Sequence, residues 1–309
     1  MTVKGPIAPS DLGRTLTHEH ILVDFIGADK VSPGRYDAAE VHKVVLPYLK
    51  QLKEQKCVSF FECTPAYLGR DPKILKKLSE DSGLNIITNT GYYGAVKEKY
   101  LPPHSYAESA EQLSQRWIRE FKEGIEGTGI KPGFIKTSVD AAPLSAVQEK
   151  IIKAAALTHL ATGLTIAVHT GNGKAAMREL EIIQENGVRP NGWIWIHAQS
   201  EKDNQLHIQA AKNGGWVEFD GVSASSLKEN VNFLSRMKNE GLIEKVLVSQ
   251  DAGWYHVGEP ASWEFRNYNF VFTHFIPELI KNGFTQKEID QIFITNPAAA
   301  FSVQVRRLG

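Results

Sequence analysis

The sequence predicts an α/β protein with the (β/α)8 fold, a TIM barrel, in a single domain that spans residues 1–309. Eight short apolar runs rich in Val, Ile, Phe and Trp recur along the chain, as expected of parallel strands buried on both faces. Amphipathic stretches with helical periodicity lie between most of these runs. The length of 309 residues suits eight strand–helix units, and no linker or low-complexity segment divides the chain.

Each apolar run is assigned to one strand, and each amphipathic stretch to a helix. The predicted strands are residues 12–16, 58–63, 85–90, 134–137, 164–168, 193–196, 216–219 and 245–249. The predicted helices are residues 38–55, 109–124, 145–162, 174–186, 203–213 and 228–240, and a glycine follows several of them. An open doubly wound sheet is the competing architecture, but no G-x-G-x-x-G motif follows the first strand.

The charge balance argues against two classes of partner. Thirty-five basic residues offset 35 acidic ones, so the formal net charge is zero. A general nucleic-acid binder needs a positive surplus and a polybasic membrane anchor needs a basic cluster, so we expect neither nucleic acid nor membrane as a partner. No signal-peptide pattern and no run of 18 apolar residues is visible, and Cys57 and Cys63 are too far apart on a strand for a disulfide. We therefore expect a cytoplasmic protein with free thiols.

Residues that bind metal ions occur where the predicted strands end. His18 and His20 follow the first strand and are two residues apart, so on extended backbone both side chains face the same way. The fourth, fifth, sixth and eighth strands also end in such residues, namely Lys136, His169, His197 and Asp251. A barrel has its active site at these strand ends, so the sequence predicts a metal site of imidazoles and a carboxylate. A single histidine at a strand end is more often structural. The prediction therefore depends on the convergence of all six residues at the same end of the barrel.

The remaining histidines are interpreted as surface or packing residues. Three of them lie in predicted helices and three in the segments after the third and eighth strands: His42, His159, His207, His104, His256 and His274. Among these, His256 is the candidate for a substrate contact.

Short motifs occur in a fixed order along nearly the whole chain. They are Gly5-Pro6-Ile7, Pro9, Leu12-Gly13, Thr15-Leu16, His18-Glu19-His20, Gly69-Arg70-Asp71-Pro72, Thr90-Gly91-Tyr92-Tyr93, Ile135-Lys136, His169-Thr170-Gly171, His197, Ser249-Gln250-Asp251 and Asn296-Pro297. Together they resemble the phosphotriesterase family, a branch of the amidohydrolase superfamily. The resemblance implies a hydrolase with a binuclear metal centre and a homodimer that acts on a small-molecule substrate.

The resemblance also implies a role for each candidate ligand. His18 and His20, with Asp251, bind the more buried ion, and His169 and His197 bind the more exposed one. Lys136 is carboxylated and bridges two divalent ions, for which zinc is expected and manganese, cobalt, nickel or iron are alternatives. A lysine that merely pairs with a nearby acid such as Glu62 is the competing interpretation of Lys136.

In the implied reaction, a hydroxide shared by the two metals attacks an electrophilic carbonyl or phosphoryl centre. Asp251 touches this hydroxide and is the candidate catalytic residue for carrying the proton to the leaving group. Asp220, at the end of the seventh strand, is expected to hold the metal-binding imidazoles. A salt bridge at the barrel rim is the alternative for Asp220.

The substrate prediction depends mainly on Tyr93. Lactonase-type relatives carry tyrosine here, where the phosphotriesterases proper carry tryptophan, so the resemblance implies a lactone or related carboxylic ester as substrate. Tyr93 is therefore both a catalytic and a substrate-binding candidate, and packing alone is the competing interpretation. Gly221-Val222-Ser223 replaces the arginine of acyl-homoserine lactonases, which puts that substrate in doubt. A phosphorylated substrate needs a cluster of basic residues, and three are expected in the late loops: Lys228, Arg236 and Arg266.

The segment 252–269 after the eighth strand is rich in aromatic residues. It contains Trp254, Tyr255, His256, Trp263, Phe265 and Tyr268. At the mouth of a barrel such a loop would shape the substrate pocket, with Trp254 and His256 as substrate-binding candidates. A loop packed on the last helix or at a dimer contact is the alternative. For the whole protein, the alternatives to a lactonase are a phosphoester or phosphotriester hydrolase like aryldialkylphosphatase, and a catalytically inactive binding barrel.

Overall fold

Ten β-strands form the inner layer, and every pairing between them is parallel across the described residues, 1–259 and 264–309, of this computed structural model. The strands are β1 (Thr15–Val23), β2 (Ser59–Glu62), β3 (Asn85–Ile87), β4 (Asn89–Thr90), β5 (Phe134–Val139), β6 (Ile166–Thr170), β7 (Trp193–Ile196), β8 (Trp216–Phe219), β9 (Val246–Val248) and β10 (Gly253–His256). Their spatial orders are β10-β1-β2-β3 and β4-β5-β6-β7-β8-β9. Since β3 and β4 share one position and β9 and β10 another, these strands fill the eight positions of a TIM barrel.

Helices form the outer layer. They are α1 (Ala38–Glu54), α2 (Pro72–Ser82), α3 (His104–Ala107), α4 (Ala110–Glu123), α5 (Ala146–Thr162), α6 (Gly173–Glu185), α7 (Asn204–Lys212), α8 (Leu227–Asn239), α9 (Ile276–Lys281), α10 (Gln286–Asp290) and α11 (Asn296–Phe301). The six predicted helices correspond to α1 and α4–α8. Ser109 and Ser145 begin α4 and α5 with capping boxes, and Gly163 ends α5 in the left-handed conformation.

The first strand differs from its prediction. The predicted residues 12–16 cover only its beginning, because Pro9–Leu12 forms a 3-10 helix that starts at a proline. Gly13 then turns the chain at φ 60°, where a Cβ atom would lie 2.7 Å from Val58 Cγ2. The strand continues to Val23 because it pairs with β2 on one side and β10 on the other. His18 and His20 therefore lie inside β1 and not beyond its end.

The eighth barrel position is divided into two strands. β9 pairs with β8, whereas β10 pairs with β1. Between them, the backbone N–H of Asp251 donates to His18 O at 3.1 Å, and His20 N–H donates to Ala252 O at 2.9 Å. The segment around Asp251 thus closes the barrel beside the two histidines of β1.

The core lies both inside the barrel and between the strands and the helices. Its largest fully buried side chains include Trp117, Trp193, Trp195 and Tyr268. Cys57 and Cys63 are buried free thiols, as the sequence predicts. Within the described ranges, no helix has the length and apolar character needed to cross a lipid bilayer.

Candidate metal centre

β1 carries two histidines on its inner face and a glutamate between them. The side chains of His18, Glu19 and His20 are all buried. Alternation along the strand turns His18 and His20 to the same side and Glu19 to the other. The Nε2 atoms of His18 and His20 lie 3.3 Å apart, so at most one of them carries a proton.

Neighbouring side chains fix the orientation of these two imidazoles. His18 Nδ1 lies 2.8 Å from Asp220 Oδ2, and His20 Nδ1 lies 2.8 Å from Thr64 Oγ1. Because an ionised carboxylate only accepts hydrogen bonds, His18 donates from Nδ1 and keeps a lone pair on Nε2. Hydrogen bonding through the distal nitrogen is the usual way in which proteins orient a metal-binding histidine.

Asp251 brings a carboxylate to the same point. Its Oδ1 lies 3.1 Å from His20 Nε2 and 3.7 Å from His18 Nε2. This oxygen is buried and accepts no hydrogen bond from any of the described residues. Asp251 also has φ 49°, a conformation that is uncommon for a residue other than glycine and that concentrates at functional sites.

His169, His197 and Lys136 complete the floor of this cavity. The rings of His169 and His197 lie 4.3 Å apart, and His197 lies 5.0 Å from the ring of His18. Lys136 is 1% exposed, and its Nζ lies 5.9 Å from the centre of the Tyr93 ring. Potential ligand atoms of His18, His197 and Asp251 all lie within 4.8 Å of one another. The structure therefore brings together all six predicted metal ligands around one cavity.

Asp220 connects two of these imidazoles. Its Oδ2 accepts from His18 Nδ1, and its Oδ1 lies 2.6 Å from His197 Nδ1. It also accepts from the backbone N–H of His197 at 3.1 Å and from Gln199 Nε2 at 2.7 Å. The structure has the predicted contact of Asp220 with the imidazoles of two candidate ligands, and Asp220 is fully buried, which does not fit the alternative of a salt bridge at the barrel rim.

Burial and neighbouring charges set the protonation states in the cluster. Burial lowers the pKa of His18 to about 4 and also lowers the pKa values of His20 and His169. Burial acts against the ionised form of Asp251, but the imidazoles of His18 and His20 outweigh it and hold its pKa below the usual range. For His197, burial is outweighed by the Asp220 carboxylate, which raises the pKa. Neutral imidazoles beside an ionised carboxylate are the forms that bind a metal ion, as expected here for His18, His20 and His169.

The donor set fits a pair of divalent ions. Several potential ligand atoms converge on one cavity, and Asp251 Oδ1, which has no hydrogen-bond partner among the described residues, is one of them. Nitrogen and oxygen ligands of this kind suit zinc and the neighbouring transition metals. No ion pair joins Lys136 to Glu62 within the described chain. Glu62 instead accepts hydrogen bonds from the backbone N–H groups of Ile21 and Thr64.

The cavity above the cluster has a volume of about 90 Å³ and is mainly apolar. Besides the six candidate ligands, it is lined by Val23, Phe25, Leu68, Tyr93, Val96, Tyr100 and Trp254. The Tyr93 hydroxyl lies 3.1 and 3.2 Å from the two ring nitrogens of His169. Tyr92 turns away, as predicted, and its hydroxyl lies 3.0 Å from His104 Nε2.

The aromatic segment after Asp251 contributes unequally to the cavity. Trp254 lines it, packs 4.6 Å from the His20 ring and donates from Nε1 to Asp251 O at 2.8 Å. His256 does not line it; its ring lies 5.4 Å from Phe25, and its Nδ1 lies 3.0 Å from Glu259. The prediction of a substrate contact by His256 therefore has no support in the cavity lining. Trp263 lies outside the described residues.

The three basic residues considered for a phosphorylated substrate do not line the cavity either. Lys228 and Arg236 lie in α8 and not in a loop. Arg266 uses its guanidinium to donate to the backbone carbonyls of Asp251 at 2.8 Å and Gln250 at 3.2 Å. Arg266 therefore supports the segment that carries Asp251.

Sequence reasoning missed several residues that position or enclose the cluster. Glu19 accepts hydrogen bonds from Ser249 Oγ, Gln250 N and Ala252 N, on both sides of Asp251. Thr64 orients His20. The position of Glu19 between the two histidines was a usable signal, because a charged residue facing out of a barrel strand must find buried partners. The cavity-lining residues Phe25, Leu68, Val96 and Tyr100 lie in loops, whose paths the sequence pattern does not predict.

A parallel barrel with clustered imidazoles and a carboxylate at its strand ends is typical of enzymes that bind metal ions in a barrel mouth. The model of the phosphotriesterase family matches residues 1–301. The chain belongs to the phosphotriesterase family.

Individual relatives agree with this assignment along their whole length. The chain is 28% identical over 312 residues to the aryldialkylphosphatase of Saccharolobus solfataricus, with 97% of this chain and 98% of the relative covered. It is 25% identical over 338 residues to the N-acetyltaurine hydrolase of Xenopus tropicalis, with 96% and 95% covered. A crystal structure of a mutant PTE-like lactonase from Deinococcus radiodurans superposes with a TM-score of 0.88 at 25% identity, covering 98% of this chain and 99% of that one.

Proposed function

We propose that this hydrolase of the phosphotriesterase family opens a lactone or a related carboxylic ester at a binuclear metal centre. The observation that carries the proposal is the convergence of His18, His20 and Asp251 on one point, with Tyr93 on the same cavity. The structural similarity to a protein named as a lactonase supports the choice of ester.

In this proposal, six residues hold two divalent ions, with zinc the expected metal. The residues that would hold them are His18, His20, Asp251, His169, His197 and Lys136, the last as a carbamate. Bound ions of this kind supply a hydroxide nucleophile at neutral pH and polarise the substrate carbonyl. The protein orients its imidazoles through Asp220 and Thr64.

The protein side chains contribute proton transfer and positioning. Burial raises the pKa of Tyr93 far above neutrality, so its hydroxyl stays protonated and can donate to an oxygen of the substrate. Asp251 is ionised and half-buried at the centre of the cluster, where its carboxylate can accept a proton and pass it to the leaving alkoxide. The apolar wall formed by Phe25, Leu68 and Trp254 excludes water from the rest of the substrate.

Two other bond types, the phosphotriester and the amide, are also candidates for hydrolysis. One relative is named an aryldialkylphosphatase and others are named N-acetyltaurine hydrolases. A hydroxide attack serves a phosphotriester and an amide as well as an ester, so a phosphotriesterase activity is the second candidate. The ester is preferred because Tyr93 offers a hydrogen-bond donor beside the cluster where an oxygen of the opened ring would lie.

The test is a hydrolysis screen on protein reconstituted with zinc and bicarbonate. A pH indicator follows neutral lactones, sugar lactones and their phosphates, acyl-homoserine lactones, aryl phosphotriesters and N-acyl amides. We expect a neutral lactone or ester to react with kcat/KM of about 10⁴ M⁻¹s⁻¹ or more. If a phosphotriester or an amide is hydrolysed faster than every lactone and ester, that bond would replace the ester in the proposal. A protein that binds two metal ions and hydrolyses nothing would be a binding barrel.

A matched pair of variants tests the assignment of the centre. Asp251→Asn should abolish turnover and reduce metal content, because the carboxylate is lost. Asp81→Asn removes a carboxylate that lies 2.7 Å from His42 on the protein surface, and it should change neither. Full turnover in Asp251→Asn would remove Asp251 from the mechanism.

A further inference from the structure

The loop after β4 contains three consecutive residues in the left-handed conformation. Val96, Lys97 and Glu98 have φ 57°, 53° and 65°. L-residues avoid this region because Cβ approaches the following carbonyl, and for a β-branched residue such as valine it is an outlier. Strain of this kind persists only where the surroundings enforce it, and it concentrates at ligand-binding sites.

Side chains that follow Lys136 along the chain enforce this turn. The Asp140 carboxylate accepts hydrogen bonds from Val96 N at 2.8 Å and Lys97 N at 3.2 Å. Ser138, on β5, accepts from Ala95 N at 2.8 Å. Gln148 donates to the same Asp140 carboxylate at 2.9 Å and fixes it from the side of α5. The turn is therefore attached to the strand that carries a candidate metal ligand.

The strained turn places an apolar side chain over the candidate metal centre. Val96 lines the same cavity as His18 and Asp251 and yet is 52% exposed. Leu68, Phe25 and Tyr100 line the cavity with it. An apolar side chain that is held in a strained conformation at the mouth of a cavity, and is not covered by the described chain, is suited to contact a ligand.

The cavity lining indicates the chemical class of that ligand. Lys136 is the one lysine or arginine that lines the cavity in the described parts of the chain, and it lies at the floor among the candidate metal ligands. The ammonium of Lys99 lies near the lining residue Phe25, but it donates to the Phe25 carbonyl oxygen at 2.6 Å. Residues 260–263, outside the described parts, contain no lysine or arginine. A negative charge on the part of the substrate that lies beside Val96, Leu68 and Tyr100 would be desolvated among these side chains, away from the cluster at the floor.

We infer that Val96 is a specificity-determining residue that contacts an uncharged apolar group of the substrate, and that Asp140 is the positioning residue that holds Val96 over the cavity. This inference rests on the proposed function, since it concerns the substrate of the same site. It assigns a short, neutral, apolar acyl or alkyl chain to the space between Val96, Leu68 and Tyr100.

Binding of a product-like series tests the inference without requiring turnover. Straight-chain carboxylates from acetate to hexanoate are titrated by calorimetry into the zinc-loaded protein. We expect affinity to rise about fourfold for each added methylene until the cavity is filled. Dicarboxylates of the same length should bind about tenfold more weakly or worse. An affinity that does not change with chain length, or tighter binding of the dicarboxylates, would overturn the inference.

Val96→Asn is the decisive variant, because asparagine tolerates the left-handed conformation and so keeps the turn while removing the apolar contact. This variant should reduce the gain in affinity to less than twofold for each added methylene and leave the zinc content unchanged. Val303→Asn, at another exposed valine (41% exposed), is the matched control and should keep the full gain. The same gain in Val96→Asn as in the unchanged protein would refute the role of Val96.

Asp140→Asn tests the positioning role. It should also flatten the dependence on chain length with zinc retained, and it should add little when combined with Val96→Asn, because both changes remove the same contact. Additive effects would show that Asp140 acts only on general stability. If the carboxylate series behaves as expected but no ester is hydrolysed, the proposed function fails while the assignment of the apolar site stands.

Discussion

Asp220 is a residue whose importance comes from the side chains it touches. Its two carboxylate oxygens receive His18 Nδ1 and His197 Nδ1 at 2.8 and 2.6 Å, one imidazole for each proposed ion. Burial alone would disfavour the charge, but the two imidazoles outweigh it and hold the pKa of Asp220 well below the usual range. It thereby sets the tautomer of both ligands at once.

Asp220→Asn should weaken zinc binding by about 10- to 100-fold, because an amide cannot accept hydrogen bonds from both imidazoles. Competition with a zinc-chelating dye measures this affinity directly. The control is Asp81→Asn, which alters a surface Asp–His pair of 2.7 Å to His42 and should leave zinc binding unchanged. Unaltered affinity in Asp220→Asn would mean that packing alone orients the imidazoles.

Tyr93→Phe should lower kcat by about 10- to 100-fold while zinc content stays the same, since it removes one hydrogen bond to an oxygen that gains charge. Steady-state kinetics and metal analysis of the same sample measure both quantities. Tyr92→Phe is the matched control, because the Tyr92 hydroxyl bonds to His104 and turns away from the cavity. Equal losses in both variants would reduce Tyr93 to a packing role.

At the scale of elements, Gly91 follows the end of the third barrel position, and its surroundings explain the Thr90-Gly91-Tyr92-Tyr93 motif. β4 ends at Thr90 and Gly91 follows with φ 123°. A Cβ atom on Gly91 would overlap the backbone carbonyl oxygen of Lys136 on the adjacent β5. The glycine therefore lets the chain turn Tyr93 toward the cavity while it stays close to the strand of Lys136.

Gly91→Ala should destabilise the protein by about 3 kcal/mol or more, because it adds a backbone clash to an unfavourable φ. Gly83→Ala is the matched control: Gly83 has φ 73° but open space around its Cβ position, so only the conformational cost of about 1 kcal/mol remains. Urea denaturation of both variants measures the difference. Similar losses would show that β5 moves to make room.

At the scale of the whole molecule, pH affects the hydrogen bonds that attach the C-terminal tail to the barrel. His159, buried on α5, lies 2.8 Å from the carbonyl oxygen of Leu164 through Nδ1, and its Nε2 accepts from Arg306 N at 2.9 Å. A backbone N–H only donates, so this imidazole is neutral, with its proton on Nδ1. Burial lowers its pKa accordingly.

Below the unfolded pKa of about 6.5, His159 binds a proton in the unfolded protein but not in the folded one. Its contribution to the free energy of unfolding is therefore complete above this pH and is lost as the pH falls below it. The loss approaches about 1.4 kcal/mol per pH unit. His159→Gln keeps a donor and an acceptor but has no titration. Urea denaturation from pH 8 to pH 5 should show a weaker pH dependence in this variant, and identical dependences would contradict the assignment.

The sequence allowed the barrel and the six candidate ligands to be predicted, but not what surrounds them. The ligands were visible because His18, His20 and Asp251 occur in short motifs near strand ends, where barrel geometry limits their positions. Val96 and Glu19 were not predicted as functional, since their roles depend on partners more than 40 residues away in the chain, Asp140 and the segment beside Asp251. The substrate contact predicted for His256 stays a prediction, since its ring packs near Phe25 and does not line the cavity.

The division of the eighth barrel position has a consequence for local unfolding. β9 is attached to β8 and β10 to β1, so the two sides of the barrel are joined at the residues around Asp251, in an unfavourable backbone conformation. Any ion that binds Asp251 together with His18 and His20 ties these sides together and adds its binding free energy to global stability. Metal-free protein should therefore exchange the amide hydrogens of residues 249–256 first, and loading should protect them. The stretch expected to open first would then also be the one that carries the proposed catalytic carboxylate.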